Sequence, residues 1–172
     1  SSSMSFWTRV RWEQEIDWMA LHGINIPLAL VGTDVVWKNV LAEAGYKRED
    51  IDKFVAGPGF QAWWLMNNLE GWGGPNPDWW YERQEQLCKF ILGRMRSLGM
   101  EPVLPGYGSI LPSNAPEKMG VNVIDQGYWC SGFRRPSFLL PTDKRYAEIA
   151  QLYYKHLEKV MGKSRYYSMD PF

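Results

Sequence analysis

Residues 9–45 read RVRWEQEIDWMALHGINIPLALVGTDVVWKNVLAEAG, and this stretch decides the fold class. Its beginning places Trp12, Ile16 and Met19 on one face of a helix, because they lie four and then three residues apart. Residues 24–31 are short and mostly apolar, as expected of a buried parallel strand. A helix on either side of such a strand predicts an α/β fold with a parallel sheet.

The second helix of this stretch is predicted from residue 34 to residue 44, with Thr33 as its N-cap and Gly45 at its end. Pro27 weakens the strand before it, since proline has no N–H to donate to a ladder. The helical tryptophans of the stretch are predicted to lie in the core: Trp12, Trp18 and Trp37.

The same alternation continues along the chain. A helix is predicted from 78 to 98, and a short strand follows at 101–105. Another helix, capped by Thr142, leads to a last strand at 165–170. With residues 3–6 interpreted as the tail of an earlier strand, the chain holds about four strands, roughly half of the barrel that about 250 residues form.

We therefore expect residues 1–172 to be one partial domain, the first half of a (β/α)8 TIM-type barrel, with about four β/α units and truncated at both ends. Two long irregular segments, 57–79 and 106–140, are rich in Gly, Pro and aromatic residues. Both follow predicted strands or strand–helix units. In such a barrel the loops after the strands build the active site.

The composition limits the classes of function that the chain could have. The 19 basic residues equal the 19 acidic residues, which gives no electrostatic case for binding nucleic acid or an anionic membrane surface. No apolar run approaches the roughly 20 residues of a membrane span. The two cysteines form no CxxC pair, so no metal or other cofactor is expected, and Cys88 is predicted to be a buried thiol. The 10 tryptophans offer apolar faces of the kind that stack on sugar rings.

Three motifs in the aromatic segment are more specific. GPGFQAW at 57–63, MNNL at 66–69 and WGGP at 72–75 resemble the α-N-acetylglucosaminidases of glycoside hydrolase family 89. The resemblance extends over nearly the whole chain, in the same order. It also includes RWEQEIDWMAL at 11–21 with GIN at 23–25, MRS at 95–97, GMEPVLP at 99–105 and SFLLP at 137–141.

The resemblance implies a retaining exo-glycosidase that removes terminal α-linked N-acetylglucosamine from glycans. Retention needs two carboxylates about 5–5.5 Å apart. The family's acid/base glutamate follows a motif like YYSMDPF at 166–172, and its nucleophile lies on a later strand. We therefore expect no catalytic residue within the chain and no activity from these residues alone. The family is exported in bacteria and lysosomal in animals, which leaves the compartment open.

Five residues are candidates for substrate binding. Trp63, Asn68 and Trp129 match family positions in or near the pocket, where the indoles would stack on the sugar or enclose its N-acetyl group and Asn68 would bind a hydroxyl. Tyr107 follows a predicted strand and is expected at the rim of the pocket. Asp170 lies at the C-terminal end of a predicted strand, where a barrel places functional groups. Packing is the alternative for each tryptophan, and for Asp170 the alternative is a carboxylate that orients its neighbours.

Two further residues of the aromatic segment receive no catalytic or binding role. Trp72 matches a family position but is expected to pack. Glu70 is the best-placed acid in the chain, yet the resemblance does not assign it catalysis. Two other classes of protein remain open for the chain: a non-catalytic carbohydrate-binding module and an inactive truncation.

Overall fold

A computed structural model describes residues 2–130 and 132–169 of the chain. Asp170, a predicted substrate contact, lies outside the described residues. Four longer helices dominate the fold: α1 Arg9–Leu21, α2 Thr33–Glu43, α5 Asp78–Ser97 and α7 Tyr146–Met161. Three short helices lie between them: α3 Arg48–Asp52, α4 Gln61–Leu65 and α6 Ala115–Met119.

The longer helices bury apolar faces against one another, as their periodicity predicts. On α5, Cys88, Ile91 and Met95 are buried at helical spacing. On α7, Ile149, Tyr153 and the residues after them form the matching face, which packs against α2 and α5. The core therefore lies between the helices and the strands, and the prediction that Cys88 is buried is confirmed.

Parallel segments form the centre of the fold. Strand β1, Val103–Pro105, pairs in parallel with β7, Tyr166–Ser168. On its other side β1 accompanies the segment around Leu28, which forms a parallel bridge with Val103. Backbone hydrogen bonds from Ala29 N to Val103 O (2.9 Å) and from Val103 N to Pro27 O (2.8 Å) hold that segment in place. Three neighbouring parallel segments thus follow one another in chain order.

Several predicted boundaries differ from the structure. The strand predicted at 24–31 is reduced to the bridge at Leu28. The strand tail predicted at residues 3–6 is wrong, because Ser2–Met4 forms a 3-10 turn. The N-cap predicted at Thr33 is also wrong: Gly32 caps α2 with φ of 97°, and the Thr33 hydroxyl donates to Leu30 O instead.

The start of α7 lies four residues after the predicted cap. Thr142 precedes a turn in which the carboxylate of Asp143 accepts hydrogen bonds from Asn122 N (2.7 Å) and Arg145 N (2.8 Å). Arg145 is then the N-cap of the helix. The side chain of Asp143 thus stabilises the turn in place of a helical start.

The segment 106–140 is more ordered than a loop. Its strands are β2 Ile110–Leu111, β3 Val123–Ile124, β4 Tyr128–Trp129, β5 Phe133–Arg134 and β6 Ser137–Leu139. An antiparallel sheet has the order β2-β6-β3, and β4 pairs with β5 in a separate hairpin. This small antiparallel unit follows β1, at the carboxyl ends of the parallel segments.

Among the helical tryptophans, Trp12 and Trp37 are buried as predicted, but Trp18 is 50% exposed and its prediction as core is wrong. Trp18 lies instead on the outer face of α1, where its ring stacks on His22 at 4.1 Å. Among the described residues, no helix combines the length and the apolar character that a membrane span requires.

Candidate functional site

A cavity of about 720 Å³ opens at the carboxyl ends of the parallel segments. Each of the three segments contributes to its wall through residues at or just after the end of its pairing. The contributing residues include Leu30 and Val31 after the first segment, Pro105 and Gly106 at the end of β1, and Ser168 and Met169 at the end of β7. In parallel α/β folds, ligands bind at this end of the strands.

Helix α4 and the residue after its C-cap form a second wall of the cavity, through Gln61, Trp63, Met66 and Asn67. A close backbone contact closes the loop that carries the helix. Gly57 N donates to Trp72 O at 2.7 Å. A Cβ added at Gly57 would lie 1.9 Å from the carbonyl oxygen of Gly73, so only a residue without a side chain fits.

A buried carboxylate holds the start of α4. Asp34 is 2% exposed, and its Oδ2 accepts hydrogen bonds from Gln61 Nε2 (2.9 Å) and from the indole N–H of Trp80 (3.0 Å). Its Oδ1 accepts from Val35 N at 3.0 Å. Burial raises the pKa of Asp34, and the bonds from Trp80, Val35 and Gln61 oppose that rise. Asp34 thereby connects the first turn of α2 to α4 and α5.

The structure brings two predicted site residues together. The rings of Trp63 and Trp129 stack with centroids 5.0 Å apart and an interplanar angle of 29°. Trp129 reaches this position because the β4–β5 hairpin docks on the loop after α4. Glu70 N donates to Arg134 O (3.0 Å), and Arg135 Nε donates to Asn67 O (2.9 Å).

Further rings extend this pair into an aromatic cluster. Phe133 lies 5.7 Å from Trp129 and 4.6 Å from Trp72, measured between ring centroids. Trp72 also contacts Phe60 at 6.2 Å, so it packs as predicted while 46% of its surface stays exposed. Of the indoles in the cluster, that of Trp63 lines the cavity.

The asparagine pair after α4 is arranged differently from the prediction. Asn68 is half-buried and is not part of the cavity wall, and its backbone N donates to Trp63 O at 3.0 Å. Its neighbour Asn67 lines the cavity and has a φ of 61°. Within the described residues, the side-chain oxygen of Asn67 is buried without a hydrogen-bond partner. Asparagine tolerates the left-handed conformation that a tight turn needs, so the asparagines of the MNNL motif are a turn signal in the sequence.

The rim position predicted for Tyr107 is wrong. Tyr107 is 2% exposed and packs between Trp37, Tyr146 and Tyr153, with ring centroids 5.6–6.2 Å away. Burial raises the pKa of its hydroxyl far above the usual range. After β1 the backbone lies against α7, where Tyr107 N donates to the hydroxyl of Tyr154 at 3.2 Å.

Glu70 connects the aromatic segment to the antiparallel unit. Its carboxylate accepts hydrogen bonds from the backbone N of Ser113 (3.0 Å) and from the Ser113 hydroxyl. Burial raises the pKa of Glu70 to about 7, against the lowering effects of Ser113 and of the Arg134 charge. Glu70 does not line the cavity.

The described part of the cavity wall contains no Asp or Glu side chain. Across residues 2–130 and 132–169, no cluster of three or more His, Cys, Asp or Glu side chains is arranged to hold a metal ion. The wall is an apolar, partly aromatic surface with the amides of Gln61, Asn67 and Gln84 placed along it, which is the composition typical of a ligand-binding pocket.

Sequence reasoning missed Asp34 and Gln61. Asp34 reads as an ordinary first-turn acid of α2, and its burial against α4 and α5 is a tertiary effect. Gln61 lies inside the GPGFQAW motif, two residues before Trp63, so its place in the motif was the available signal.

Comparison with known proteins gives consistent matches. The model of the alpha-N-acetylglucosaminidase (NAGLU) TIM-barrel domain matches residues 1–172. Human alpha-N-acetylglucosaminidase is 40% identical over 178 residues, which cover 100% of this chain and 24% of that protein.

Solved structures of a family 89 glycoside hydrolase from Clostridium perfringens also match. Its complex with 2-acetamido-1,2-dideoxynojirimycin superposes with a TM-score of 0.92 at 36% identity, over 100% of this chain and 20% of that one. A doubly substituted form in complex with its substrate, GlcNAc-α-1,4-galactose, matches with the same coverage and identity and a TM-score of 0.92. The chain thus spans about a fifth to a quarter of the length of these relatives.

Proposed function

The chain belongs to the alpha-N-acetylglucosaminidase (NAGLU) family, and on this basis we propose that the protein containing it is a glycosidase that removes terminal α-linked N-acetylglucosamine from glycans. The observation that carries the proposal is the cavity at the carboxyl ends of the parallel segments, walled by α4 and Trp63. A related protein of the same fold holds GlcNAc-α-1,4-galactose as its substrate.

In this proposal, residues 1–172 form about the first four β/α units of a (β/α)8 barrel, to which the described residues contribute three parallel segments. The parallel neighbours around Leu28, β1 and β7 support the arrangement, since consecutive barrel strands pair in chain order. The antiparallel unit at 106–140 is then an elaborated loop after a barrel strand, at the end where loops build the site.

The chain supplies binding surface for the sugar. The indole of Trp63 lines the cavity. Trp129 is not part of the described wall and stacks on the indole of Trp63. Asn68 and Asp170 remain candidates for polar contacts to the sugar, although Asn68 is set back from the described wall. Because that wall carries no carboxylate, the two carboxylates that retention requires would come from elsewhere in the protein.

Substitution of the stacked pair tests the proposal in the full-length natural protein that contains this sequence. Trp63→Ala removes the cavity-lining ring, and we expect its binding of N-acetylglucosamine to weaken by about 0.5–1.5 kcal/mol beyond the loss of buried area. Trp129→Ala should weaken binding less, since that ring acts through Trp63. Titration calorimetry measures both, and release of aryl alcohol from an aryl α-N-acetylglucosaminide measures turnover.

Trp79→Ala is the matched control, because that indole is 59% exposed on α5 and is not part of the cavity wall. Its binding and turnover should equal those of the unsubstituted protein. Binding that survives Trp63→Ala unchanged would contradict the assignment of the cavity. Sugar binding without any turnover by the unsubstituted protein would favour a carbohydrate-binding module.

A further inference from the structure

The amide of Gln61 is oriented by a fixed set of hydrogen-bond donors and acceptors. An indole N–H is a donor only, so the bond from Trp80 requires Asp34 Oδ2 to be an acceptor. The same oxygen accepts from Gln61 Nε2 at 2.9 Å, so Gln61 presents its NH2 group there. The carbonyl oxygen of Gln61 must therefore point away from Asp34.

Three features favour the ionised, accepting form of Asp34, against the burial that raises its pKa. Oδ1 accepts from Val35 N, Oδ2 accepts from two side chains, and the carboxylate lies in the first turn of α2, where the helix dipole favours negative charge. Within the described residues no basic side chain forms an ion pair with it. The carboxylate is thus stabilised by neutral donors whose positions belong to three different helices.

Gln61 also forms part of the cavity wall. The residue is half-buried. Its carbonyl oxygen is not among the buried unpartnered atoms, and within the described residues it accepts no hydrogen bond, so it is accessible to a ligand. Trp63, two residues later on α4, lines the same cavity. An apolar ring and an oriented acceptor on one helix are the two groups that a sugar ring with hydroxyl donors needs.

We propose that Gln61 accepts a hydrogen bond from a hydroxyl group of the bound sugar, with its carbonyl oxygen turned to the cavity by Asp34. Gln61 is a specificity-determining residue in this view, and Asp34 is a positioning residue that acts through it. The proposal rests on the proposed function, since it takes N-acetylglucosamine as the ligand.

The test uses the full-length natural protein. It combines a substitution of Gln61 with sugars that each lack one hydroxyl group. Gln61→Met keeps the length of the side chain and removes the acceptor. Binding of N-acetylglucosamine and of its 3-, 4- and 6-deoxy analogues is measured by calorimetry for both proteins. We expect Gln61→Met to weaken binding of the parent sugar about two- to twelvefold, the range for one neutral hydrogen bond. One deoxy analogue should bind both proteins equally.

Gln61→Glu tests the same hydrogen bonds independently, through the pH dependence of sugar binding. A protonated carboxylic acid offers one O–H donor to Asp34 and one carbonyl acceptor to the cavity, as the amide does. An ionised one offers no donor and repels Asp34. Binding by Gln61→Glu should therefore be weak at pH 8 and recover as the pH falls, relative to the unsubstituted protein, whereas Gln61→Met shows no such recovery.

Gln151→Met, on the exposed face of α7, is the matched control and should leave every affinity unchanged. The proposal is overturned if Gln61→Met weakens binding of the parent sugar and of all three deoxy analogues by the same factor, or if it changes no affinity. If the unsubstituted protein binds none of these sugars, the proposed function fails, and this proposal fails with it. A defect of Gln61→Met in both binding and thermal unfolding, with normal behaviour of Gln61→Glu at low pH, still supports the acceptor role.

Discussion

At the scale of single residues, one buried and one partly buried carboxylate join different parts of the fold. Asp34 joins three helices, whereas Glu70 joins two loops through Ser113. Glu70 has the weaker set of donors: one backbone N–H and one hydroxyl, both from the same residue.

The raised pKa of Glu70 predicts that the free energy of unfolding depends on pH. Its pKa rises from 4.5 to about 7 on folding, so the folded state binds more protons than the unfolded state between these values. The free energy of unfolding should fall as the pH rises from about 4.5 to about 7, by roughly 3 kcal/mol at most, and then level off. Urea melts of the full-length natural protein at intervals of pH would measure it.

Glu70→Gln should remove that part of the slope, because the amide does not titrate. The exposed Glu82 on α5 provides the control, and Glu82→Gln should keep the slope. A pH dependence that is the same in Glu70→Gln as in the unsubstituted protein would rule out Glu70 as its source.

At the scale of elements, the loop that carries α4 depends on glycine for space. Gly57 has an ordinary φ of −69°, so its conformation is open to alanine, but the carbonyl of Gly73 occupies the place of a side chain. Gly59, in the adjoining 3-10 turn, has nothing within 4 Å of an added Cβ. The two glycines form a matched pair for substitution.

Gly57→Ala should reduce the free energy of unfolding by about 1–3 kcal/mol, the usual cost of overpacking. It should also weaken sugar binding, since the shift propagates to Trp63. Gly59→Ala should change stability by no more than about 0.5 kcal/mol. Denaturant melts compare the free energies of unfolding of the two variants. Equal values would mean that the backbone of the loop accommodates the added methyl group at no cost in stability.

The helices were predictable and the antiparallel unit was not, for a physical reason. Helices α5 and α7 carry their pattern within 16 to 20 consecutive residues, so their periodicity and buried faces can be read directly. Strands β2 to β5 have two residues each, too few for any period, and they are defined only by pairing with other strands.

The candidate site also contains features that the sequence predicts and features that it does not. Trp63 was predictable because it belongs to a motif, and its contact with Trp129 follows from the docking of the hairpin. The burial of Tyr107 and the exposure of Trp18 depend on which neighbours the fold supplies, and the helical or strand position of these residues does not encode that.

At the scale of the whole molecule, the outer parallel segments expose apolar side chains. Leu28 is 54% exposed, Ile26 48% and Tyr166 43%. Exposed strand edges with apolar residues are sites of edge-to-edge pairing. The 172 residues as an isolated chain should therefore self-associate, and size-exclusion chromatography with light scattering at increasing concentration would measure the molar mass.

Ile26→Lys should lower that association, because a lysine opposes edge pairing. Leu21→Lys is the control: Leu21 is 85% exposed but lies on α1, away from the strand edges. A constant monomer mass of the unsubstituted chain over the whole concentration range would show that these edges do not pair.

The stacked indoles of Trp63 and Trp129 also have an optical consequence. Two chromophores 5.0 Å apart and inclined by 29° share their electronic excitation, and a pair of this kind gives circular dichroism bands of opposite sign in the far ultraviolet. Replacing either indole abolishes both bands together. A sugar that tilts the ring of Trp63 changes their amplitude, so the wall of the cavity carries its own label-free signal of occupancy.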